Sequence, residues 1–263
     1  MNRTTTMIHF SPSGTTARTA NLIAANISDS VQSIDLLKDK PKMEKHFSSN
    51  DIVVVAMPVF AGRLPGICAD MLGMLKGDRT PAIAAVVYGN RAYEDALLEL
   101  TDILKENGFI VVGAGAMVAQ HSIFPNVAKG RPDESDIEMI RGFAARCAAV
   151  IESSKTGSLP VPGNRPYRET GGGLPIAVSA GSSCNACGAC GKICPVGAIP
   201  VDELRKTDKE KCINCTACIS ICPQKARKYR GMKYWLGGKA FGKKCSTRLE
   251  PEFYVLDNSG AQI

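Results

Sequence analysis

The feature that most constrains this chain is a cysteine motif that occurs twice between residues 181 and 225. The two copies, CNACGACGKICPVGA and CINCTACISICPQKA, share the spacing C-x2-C-x2-C-x3-C-P. The N-terminus, MNRTTTMIHF, lacks the apolar stretch of a signal peptide. We therefore expect a cytoplasmic protein whose clustered cysteines bind metal rather than form disulfides. The repetition also predicts a small domain with internal pseudo-symmetry.

This spacing resembles the cysteine run of bacterial ferredoxins that hold two [4Fe–4S] clusters, in which the fourth cysteine of each run binds the other cluster. The resemblance implies these ligands: Cys184, Cys187, Cys190 and Cys222 for cluster 1, and Cys212, Cys215, Cys218 and Cys194 for cluster 2. Tetrahedral zinc also binds thiolates, but two complete copies of the motif make zinc the weaker alternative. Since this segment has few aliphatic residues for a core, we expect metal binding and folding to be coupled.

Two hydrophobic patterns alternate along residues 1–154. Short apolar runs that end near Gly, Pro or Ser predict five strands, at Met7–Phe10, Val31–Leu37, Ile52–Pro58, Ala82–Gly89 and Phe109–Val118. Apolar residues at helical spacing predict helices at Thr16–Asn26, Pro65–Leu75, Ala92–Glu106 and Asp136–Glu152. Lys40–His46 is compatible with a further short helix. The alternation predicts an α/β fold, a doubly wound parallel sheet covered on both faces.

A hydroxyl-rich loop follows the first predicted strand and opens the first predicted helix. It consists of Ser11, Pro12, Ser13, Gly14, Thr15 and Thr16. A helix N-terminus offers free N–H groups and the positive end of the helix dipole, and the hydroxyls add donors, so a terminal phosphate is a natural ligand. A Ser/Thr cap of the helix without any ligand explains the loop equally well.

The loop resembles the FMN phosphate loop of the flavodoxin family, (S/T)-x-(S/T)-G-x-T, and the resemblance covers about residues 4–154. It implies a five-stranded sheet in the order 2-1-3-4-5, with FMN at the switch point beside strands 1 and 3. It also implies two further flavin loops, formed by Pro58, Val59, Phe60, Ala61, Gly62 and Arg63 and by Tyr88, Gly89, Asn90, Arg91 and Tyr93.

Within these loops, the resemblance assigns roles to the aromatic rings and to one glycine. Phe60, Tyr88 or Tyr93 would flank the flavin ring, and ordinary packing is the alternative for each of them. Gly62 would supply a flexible peptide near the flavin N5 atom.

The sequence departs from the flavodoxin pattern at one position. Flavodoxins usually carry an acidic residue where Asn90 stands, and acidic surroundings disfavour the anionic reduced flavin. Arg63 and Arg91 flank the predicted ring position instead. We therefore expect positive charge to make the flavin easier to reduce fully than in flavodoxin.

Composition predicts where the domains begin and end. An FMN domain at residues 1–154 is followed by a Pro/Gly-rich connector at residues 155–180. A small α+β ferredoxin-like domain with two [4Fe–4S] clusters follows at residues 181–230. Residues 231–263 form a tail whose aromatic residues we expect to pack on one of the domains. The long connector also permits a homodimer in which the clusters of one chain reach the FMN of the other.

The net charge of +7 is unevenly placed along the chain. Thirteen Lys/Arg residues and only two acidic residues lie between Leu204 and Leu249. Some of these cations would offset the charge of anionic clusters, and others would form a docking patch for an acidic redox protein, either donor or acceptor. A nucleic-acid surface is the disfavoured alternative. No apolar run approaches the roughly 20 residues of a membrane helix, so we expect no membrane span.

The combination of motifs, together with the tail segment Arg248–Tyr254, is similar to the flavodoxin–ferredoxin fusion proteins of many anaerobes. The resemblance implies an electron-transfer iron–sulfur flavoprotein that passes single electrons between its clusters and FMN and on to a redox partner. The alternatives are an FMN-dependent reductase of a small organic substrate, fed by its own clusters, and a redox sensor. A reductase needs a proton donor, for which His121 and Tyr93 are candidates. A solvated loop is the plainer interpretation of His121.

Overall fold

The described structure, a computed structural model, covers residues 3–169 and 176–256. In chain order, its first stretch forms β1 (Thr4–His9), α1 (Thr15–Ala24), β2 (Val31–Asp35), β3 (Lys45–Phe47), β4 (Asp51–Pro58), α2 (Gly66–Gly73), β5 (Leu75–Gly77), β6 (Thr80–Tyr88), α3 (Ala96–Glu106), β7 (Phe109–Val118) and α4 (Glu134–Glu152). Its second stretch forms β8 (Val178–Ala180), α5 (Ala189–Ile193), α6 (Ala217–Ser220), β9 (Arg227–Tyr229), α7 (Met232–Lys244) and β10 (Glu252–Val255). None of these helices combines the length and the apolar character that crossing a membrane requires.

The main sheet has the strand order β10-β7-β6-β4-β1-β2. Parallel pairing joins β2 to β1, β1 to β4, β4 to β6 and β6 to β7. These five strands are the five predicted from the sequence, and their order is 2-1-3-4-5, so the expected doubly wound parallel sheet is confirmed. A sixth strand, β10, pairs antiparallel with β7 at the edge of the sheet. The hydrophobic patterns did not predict this strand, because a run of only four residues carries a weak signal.

Burial on both faces explains why β4 is one continuous apolar run. Val53, Val55 and Met57 pack in the core on the side of α2 and α3. Val54 and Ala56 pack in the core on the side of α1 and α4. All five side chains are 0% exposed, so the strand contributes to two cores at once.

Two glycines of β7 let its neighbours approach closely. A Cβ atom at Gly113 would lie 2.3 Å from the Sγ atom of Cys147 on α4. A Cβ atom at Gly115 would lie 3.0 Å from the ring of Phe253 on β10. The Phe253 ring in turn stacks on Phe143 of α4, with 4.7 Å between the ring centroids. Gly113 and Gly115 therefore allow α4 and β10 to pack closely against β7.

Residues 40–46 do not form the short helix that we considered. Lys45–Phe47 is β3, and it pairs in parallel with β5 as a separate two-stranded sheet. Phe47 is buried, and its ring centroid lies 6.0 Å from that of Phe109. This single buried aromatic residue, rather than any helical spacing, determines the local structure. Leu75, expected at the end of a helix, likewise begins β5.

The described part of the predicted connector lies against α3. The Asp95 carboxylate accepts hydrogen bonds from the backbone N–H groups of Asn164 (2.8 Å) and Arg168 (2.7 Å). The Tyr167 hydroxyl donates to the Asp102 carboxylate at 2.7 Å. These hydrogen bonds attach residues 164–168 of the connector to α3. The Pro/Gly composition of the connector did not reveal this attachment. Residues 170–175 of the connector and 257–263 of the tail lie outside the described residues.

The second stretch adds an antiparallel pair of strands and a basic helix. β8 and β9 pair antiparallel, with Val178 opposite Tyr229. The Tyr234 ring of α7 stacks on Phe124, with 5.5 Å between the centroids, and Phe241 lies 5.1 Å from the same ring. The tail therefore contacts the sheet domain through both α7 and β10.

Candidate functional site

Four of the motif cysteines line one small cavity. The lining includes Cys184, Cys187 and Cys190 from the first copy of the motif together with Cys222 from the second. This grouping contains the fourth cysteine of the other copy, as the resemblance to two-cluster ferredoxins implied. Their role as ligands of cluster 1 stays a prediction.

The remaining four motif cysteines interact with one another. Burial raises the pKa of the Cys215 thiol to about 12, and the neighbouring thiols of Cys218, Cys194 and Cys212 add to the shift. Cys194 comes from the first copy and the other three from the second, the set that the resemblance implies for cluster 2, and their role as its ligands stays a prediction. A metal bound here would favour the thiolates and reverse the shift.

The two copies share the same unusual backbone conformation. Ala186 and Asn214, which occupy equivalent positions, have φ angles of 56° and 54°. Gly188 and Thr216, also equivalent, have φ angles of 78° and 70°. A β-branched residue such as threonine rarely adopts a left-handed conformation, and such strain persists where the surroundings over-determine it. Both loops are therefore built to curve in the same way around their cysteines.

Equivalent backbone N–H groups donate to the fourth cysteine of each copy. The Ala198 N–H lies 3.2 Å from the Cys194 sulfur, and the Ala226 N–H lies 3.3 Å from the Cys222 sulfur. Hydrogen bonds of this kind stabilise a thiolate and tune the potential of a cluster that it binds.

The thiolates of both cysteine groups are suitable ligands for iron–sulfur clusters. Soft thiolates are the preferred ligands of such clusters. The buried Thr216 hydroxyl has no hydrogen-bond partner, so the loop around the second group has a donor available for a cluster sulfur. Among the described residues, no three His, Cys, Asp or Glu side chains lie close enough together to bind one shared metal ion. The thiols of Cys184, Cys187, Cys190 and Cys222 surround a cavity rather than the position of a single ion.

The loop between β1 and α1 has the expected helix-opening geometry. Gly14 has a φ of 87° and precedes the helix, and the Ser11 hydroxyl accepts the N–H of Ala17 at 2.9 Å. Ser11 thus serves the helix itself, while the N–H groups of Thr15 and Thr16 have no intrahelical partner. The residues of this loop that line the large cleft of the molecule are Pro12, Ser13, Thr15 and Thr16.

The loop after β4 is a tight two-residue turn. Phe60 and Arg63 exchange backbone hydrogen bonds of 2.9 Å and 3.1 Å. The central residues Ala61 and Gly62 have φ angles of 51° and 86°, as in a type I′ turn. Pro58, Val59, Phe60, Ala61 and Gly62 line the cleft, whereas Arg63 is not part of its lining.

Some residues of the loop after β6 line the cleft, and others form hydrogen bonds with the tail. Tyr88, Gly89 and Arg91 line the cleft. Asn90 is buried and holds the tail: its amide nitrogen donates to the carbonyls of Cys245 (3.0 Å) and Thr247 (2.8 Å). Tyr93, also absent from the lining, donates to Glu252. The flavodoxin resemblance grouped these residues, but the structure gives them different contacts.

The cleft has a volume of about 1010 Å³ and extends beyond the three loops. Its lining also contains Cys212, Ile213, Asn214 and Cys215 from the second copy of the cysteine motif. Sites of this size hold cofactors and other small molecules. One cavity of this chain is thus lined both by the flavodoxin-type loops and by two of the motif cysteines.

His121 lines the same cleft, in the loop that follows β7. Its Nδ1 atom accepts the backbone N–H groups of Ile123 (3.2 Å) and Phe124 (3.1 Å). A neutral ring that accepts at Nδ1 carries its proton on Nε2. Burial, with a smaller effect from the charge of Arg91, lowers the pKa of His121 to about 4. At neutral pH this residue is therefore an uncharged N–H donor.

Both arginines near the expected ring position are paired with carboxylates. Arg63 donates to Glu99 at 2.7 Å and 2.8 Å, and Arg91 donates to Glu94 at 3.1 Å and 3.0 Å. Arg168 also pairs with Glu94. Because these carboxylates offset the guanidinium charges, the excess of positive charge that we expected at the flavin is reduced.

Comparison with known proteins identifies a family for the segment with the cysteine motifs. Residues 183–226 match the 4Fe-4S dicluster domain family. The chain joins a flavodoxin-like α/β domain to a 4Fe-4S dicluster domain. A protein of Methanosarcina acetivorans, named as a subunit of the ion-translocating oxidoreductase complex, is 54% identical over 48 residues, which cover 18% of this chain and 18% of that relative.

Two solved structures resemble part of the chain at low identity. A flavodoxin from the domain Archaea is 14% identical, with a TM-score of 0.38 over 57% of this chain and 99% of its own. The rubredoxin oxygen:oxidoreductase of Desulfovibrio gigas is 14% identical, with a TM-score of 0.39 over 58% of this chain and 37% of its own. The flavodoxin-like assignment of the α/β domain therefore rests on the strand order.

Several cleft residues were not predicted from the sequence. They are Phe124, Arg168, Ile176, Lys209, Glu210 and Phe241. They come from the loop after β7, the connector, the dicluster domain and α7, which are far apart in the chain. No local pattern marks such residues, because only the docking of the two domains brings them together.

Proposed function

We propose that this chain is an electron relay that passes single electrons between two [4Fe–4S] clusters and FMN, and then to a redox partner. One observation supports this proposal above all others. Flavodoxin-type loops and two motif cysteines, Cys212 and Cys215, line the same cleft of one chain. A protein that exchanges electrons between two cofactors must hold them close together, and this cleft fits that requirement.

The lining of the cleft and of the small cavity supports an assignment of residues to each group. When bound, the clusters carry electrons singly and FMN holds one or two. The N-terminus of α1, with Ser13, Thr15 and Thr16, would bind the FMN phosphate. The Phe60 turn and the loop that begins at Tyr88 would enclose the ring. The two crossed cysteine groups would hold the clusters.

The positions of the cysteine groups suggest an order of transfer. Cys212 and Cys215 border the cleft, whereas Cys184, Cys187 and Cys190 line a separate cavity. We infer that cluster 1 is the entry point and that cluster 2 exchanges electrons with the flavin. Because the cleft belongs to one chain, the relay does not need the homodimer that the connector length permitted.

Anaerobic reconstitution of the full chain tests the proposal. Iron, sulfide and flavin analyses should give two [4Fe–4S] clusters and one FMN per chain. Rapid mixing with a low-potential reductant should then reduce the flavin at a rate that does not depend on protein concentration. A rate that rises with protein concentration would mean transfer between chains, and protein without bound iron or flavin would contradict the relay itself.

A second candidate function is a reductase of a small organic substrate. The cleft continues past the three loops to an apolar wall that includes Phe124 and Phe241, with His121 beside them. His121 would act as a neutral hydrogen-bond donor, since burial lowers its pKa to about 4. Steady turnover of a small acceptor without any protein acceptor would favour this function over the relay.

An acidic redox protein is the partner that the surface charge favours. On α7, Lys233, Lys239, Lys243 and Lys244 are exposed, beside the half-exposed apolar side chains of Trp235 and Leu236. Opposite charge steers association and is screened by salt, so the rate of transfer to an acidic carrier should fall as ionic strength rises. A curated relative is named as a subunit of an oxidoreductase complex, which agrees with a redox partner.

A further inference from the structure

Arg227, the first residue of β9, is a buried arginine without a carboxylate partner in the described chain. Its side chain is 2% exposed, and it is among the largest fully buried side chains. None of the ion pairs found within residues 3–169 and 176–256 includes it. An isolated buried charge is strongly unfavourable, so the fold must supply a compensating negative charge.

The hydrogen bonds of Arg227 orient its guanidinium without neutralising it. Nη1 donates to the Leu204 carbonyl at 2.7 Å, and Nη2 donates to the Lys206 carbonyl at 3.2 Å and to the Thr207 hydroxyl. The buried Nε has no hydrogen-bond partner. All three acceptors are uncharged, so they fix the position of the cation and leave its charge to be balanced elsewhere.

The sulfur atoms near Arg227 belong to both cysteine groups. Nη1 also lies 3.7 Å from the Cys190 sulfur, and Arg227 lines the cavity of the first group. On the side of the second group, β9 packs against α6, which carries Cys218, and the charge of Arg227 interacts electrostatically with Cys218 and Cys212. The guanidinium therefore borders the first predicted cluster site and acts electrostatically on thiols of the second.

We propose that Arg227 is the shared counter-charge of the two clusters and raises both of their reduction potentials. This inference rests on the proposed function, because it requires clusters in both cysteine groups. Each cluster gains one electron from the reductant and no proton or new ligand, so reduction adds one negative charge beside the guanidinium. A buried cation stabilises that added charge more strongly than an exposed cation does.

Redox titration of the reconstituted full chain tests this role. Arg227→Met removes the charge and keeps much of the side-chain volume. Lys228→Met is the matched control, because it removes one positive charge from the exposed neighbouring position of β9. Iron and sulfide analyses come first, followed by anaerobic titration with detection of the reduced clusters by electron paramagnetic resonance.

We expect Arg227→Met to lower the potentials by about 59 mV or more, which is a tenfold change in a one-electron reduction equilibrium. Lys228→Met should retain the wild-type potentials. A fully loaded Arg227→Met protein with unchanged potentials would overturn the inference and leave the relay standing. Wild-type protein that holds no clusters would instead contradict the proposed function.

A third variant covers the case in which Arg227→Met fails to assemble its clusters. Arg227→Lys keeps the positive charge but loses the planar guanidinium. If Arg227→Lys assembles clusters and Arg227→Met does not, the positive charge is what the clusters require, as proposed. If neither variant assembles clusters, the hydrogen-bond geometry of the guanidinium matters rather than its charge, and the inference fails.

Discussion

The Tyr93 hydroxyl donates a 2.6 Å hydrogen bond to the Glu252 carboxylate, which connects the loop after β6 to β10. The Tyr254 hydroxyl donates to the same carboxylate at 3.0 Å. Burial, followed by the bond to Glu252, raises the pKa of Tyr93 far above its usual value. Tyr93 is absent from the cleft lining, so these contacts favour a role in attaching the tail over the role of a proton donor.

Replacing Tyr93 by phenylalanine should therefore reduce stability without changing flavin chemistry. The free energy of unfolding should fall by about 1 kcal/mol, since Tyr254 still donates to Glu252. Urea titration measures the stability, and rapid mixing measures the rate of flavin reduction. Tyr254→Phe is the matched control and should behave similarly. A large loss of the reduction rate in folded Tyr93→Phe, but not in Tyr254→Phe, would restore Tyr93 as a proton donor.

Asn90 makes a second connection to the tail, and it depends on the amide group. Its nitrogen donates to the carbonyls of Cys245 and Thr247, and its oxygen accepts the Leu249 N–H at 3.0 Å. An aspartate at this position would turn a carboxylate toward two carbonyl oxygens. In this fold, an asparagine is required because the tail supplies acceptors.

We expect Asn90→Asp to destabilise the attachment of the tail by about 2 kcal/mol, because buried carbonyls lose their donor. Limited proteolysis should then cut the tail faster, and thermal unfolding should occur at a lower temperature. Asn26→Asp is the control, since Asn26 lies near the end of α1 and its side chain makes only an exposed local hydrogen bond. Equal protease resistance of Asn90→Asp and wild type would refute the role of this amide.

The core of the α/β domain could be predicted because its signals are local. Runs such as Val53–Met57 are apolar throughout, and strands buried on both faces have this pattern. The cysteine spacing was equally informative, because its resemblance to the two-cluster ferredoxin run implies which cysteines come together. Both signals are contained within short segments, so a single sequence is sufficient to find them.

Contacts between distant segments could not be predicted in the same way. Asn90, Arg63 and Tyr93 looked like flavin residues by position, yet their side chains bond to the tail or to Glu99. Arg227 looked like one cation of a basic stretch, and only the fold shows that it is buried. The partner of a polar side chain depends on how domains dock, and hydrophobic periodicity carries no information about docking.

The depressed pKa of His121 predicts that acid destabilises the folded chain. Its usual pKa of 6.5 falls to about 4, chiefly through burial, so the unfolded chain takes up a proton at a higher pH than the folded chain. This stabilisation is complete above pH 6.5 and is lost as the pH falls toward 4. Between pH 7 and 5 the loss should be about 1–2 kcal/mol.

Comparison of two histidine variants isolates this effect. Urea unfolding at pH 7 and pH 5 should show a smaller pH dependence for His121→Gln than for wild type. His46→Gln should retain the wild-type dependence, because the His46 side chain is 73% exposed. An unchanged pH dependence in His121→Gln would mean that His121 remains accessible to protons in the folded chain.

Substitution of Gly89 should weaken flavin binding. A Cβ atom at this position would lie 2.4 Å from the His121 ring, which forms part of the cleft wall. Gly89→Ala should therefore displace His121 and weaken FMN binding by about tenfold, which corresponds to about 1.4 kcal/mol. Fluorescence titration of the apoprotein with FMN measures the change.

Gly73→Ala is the control, because a Cβ atom at Gly73 would meet nothing within 4 Å. Equal FMN affinity of both variants would contradict a close packing of His121 on the flavin loop.

If the cysteine groups are crossed as proposed, the two fourth cysteines should differ in function. Cys194 belongs with Cys212 and Cys215, which border the cleft, whereas Cys222 belongs with the group in the separate cavity. Cys194→Ala should damage the cluster beside the flavin, and Cys222→Ala should damage the other cluster. Flavin reduction through the clusters should therefore be lost in Cys194→Ala and retained at least in part in Cys222→Ala.

Rapid mixing with a low-potential reductant that does not reduce the flavin directly distinguishes the two variants. Iron analysis should show a similar loss in both, so that a difference in flavin reduction reflects which cluster is damaged rather than how much iron is bound. If each fourth cysteine served the cluster of its own motif copy, the two variants would exchange their behaviour. That result would disprove the crossed arrangement, because the cysteines beside the cleft would then depend on Cys222.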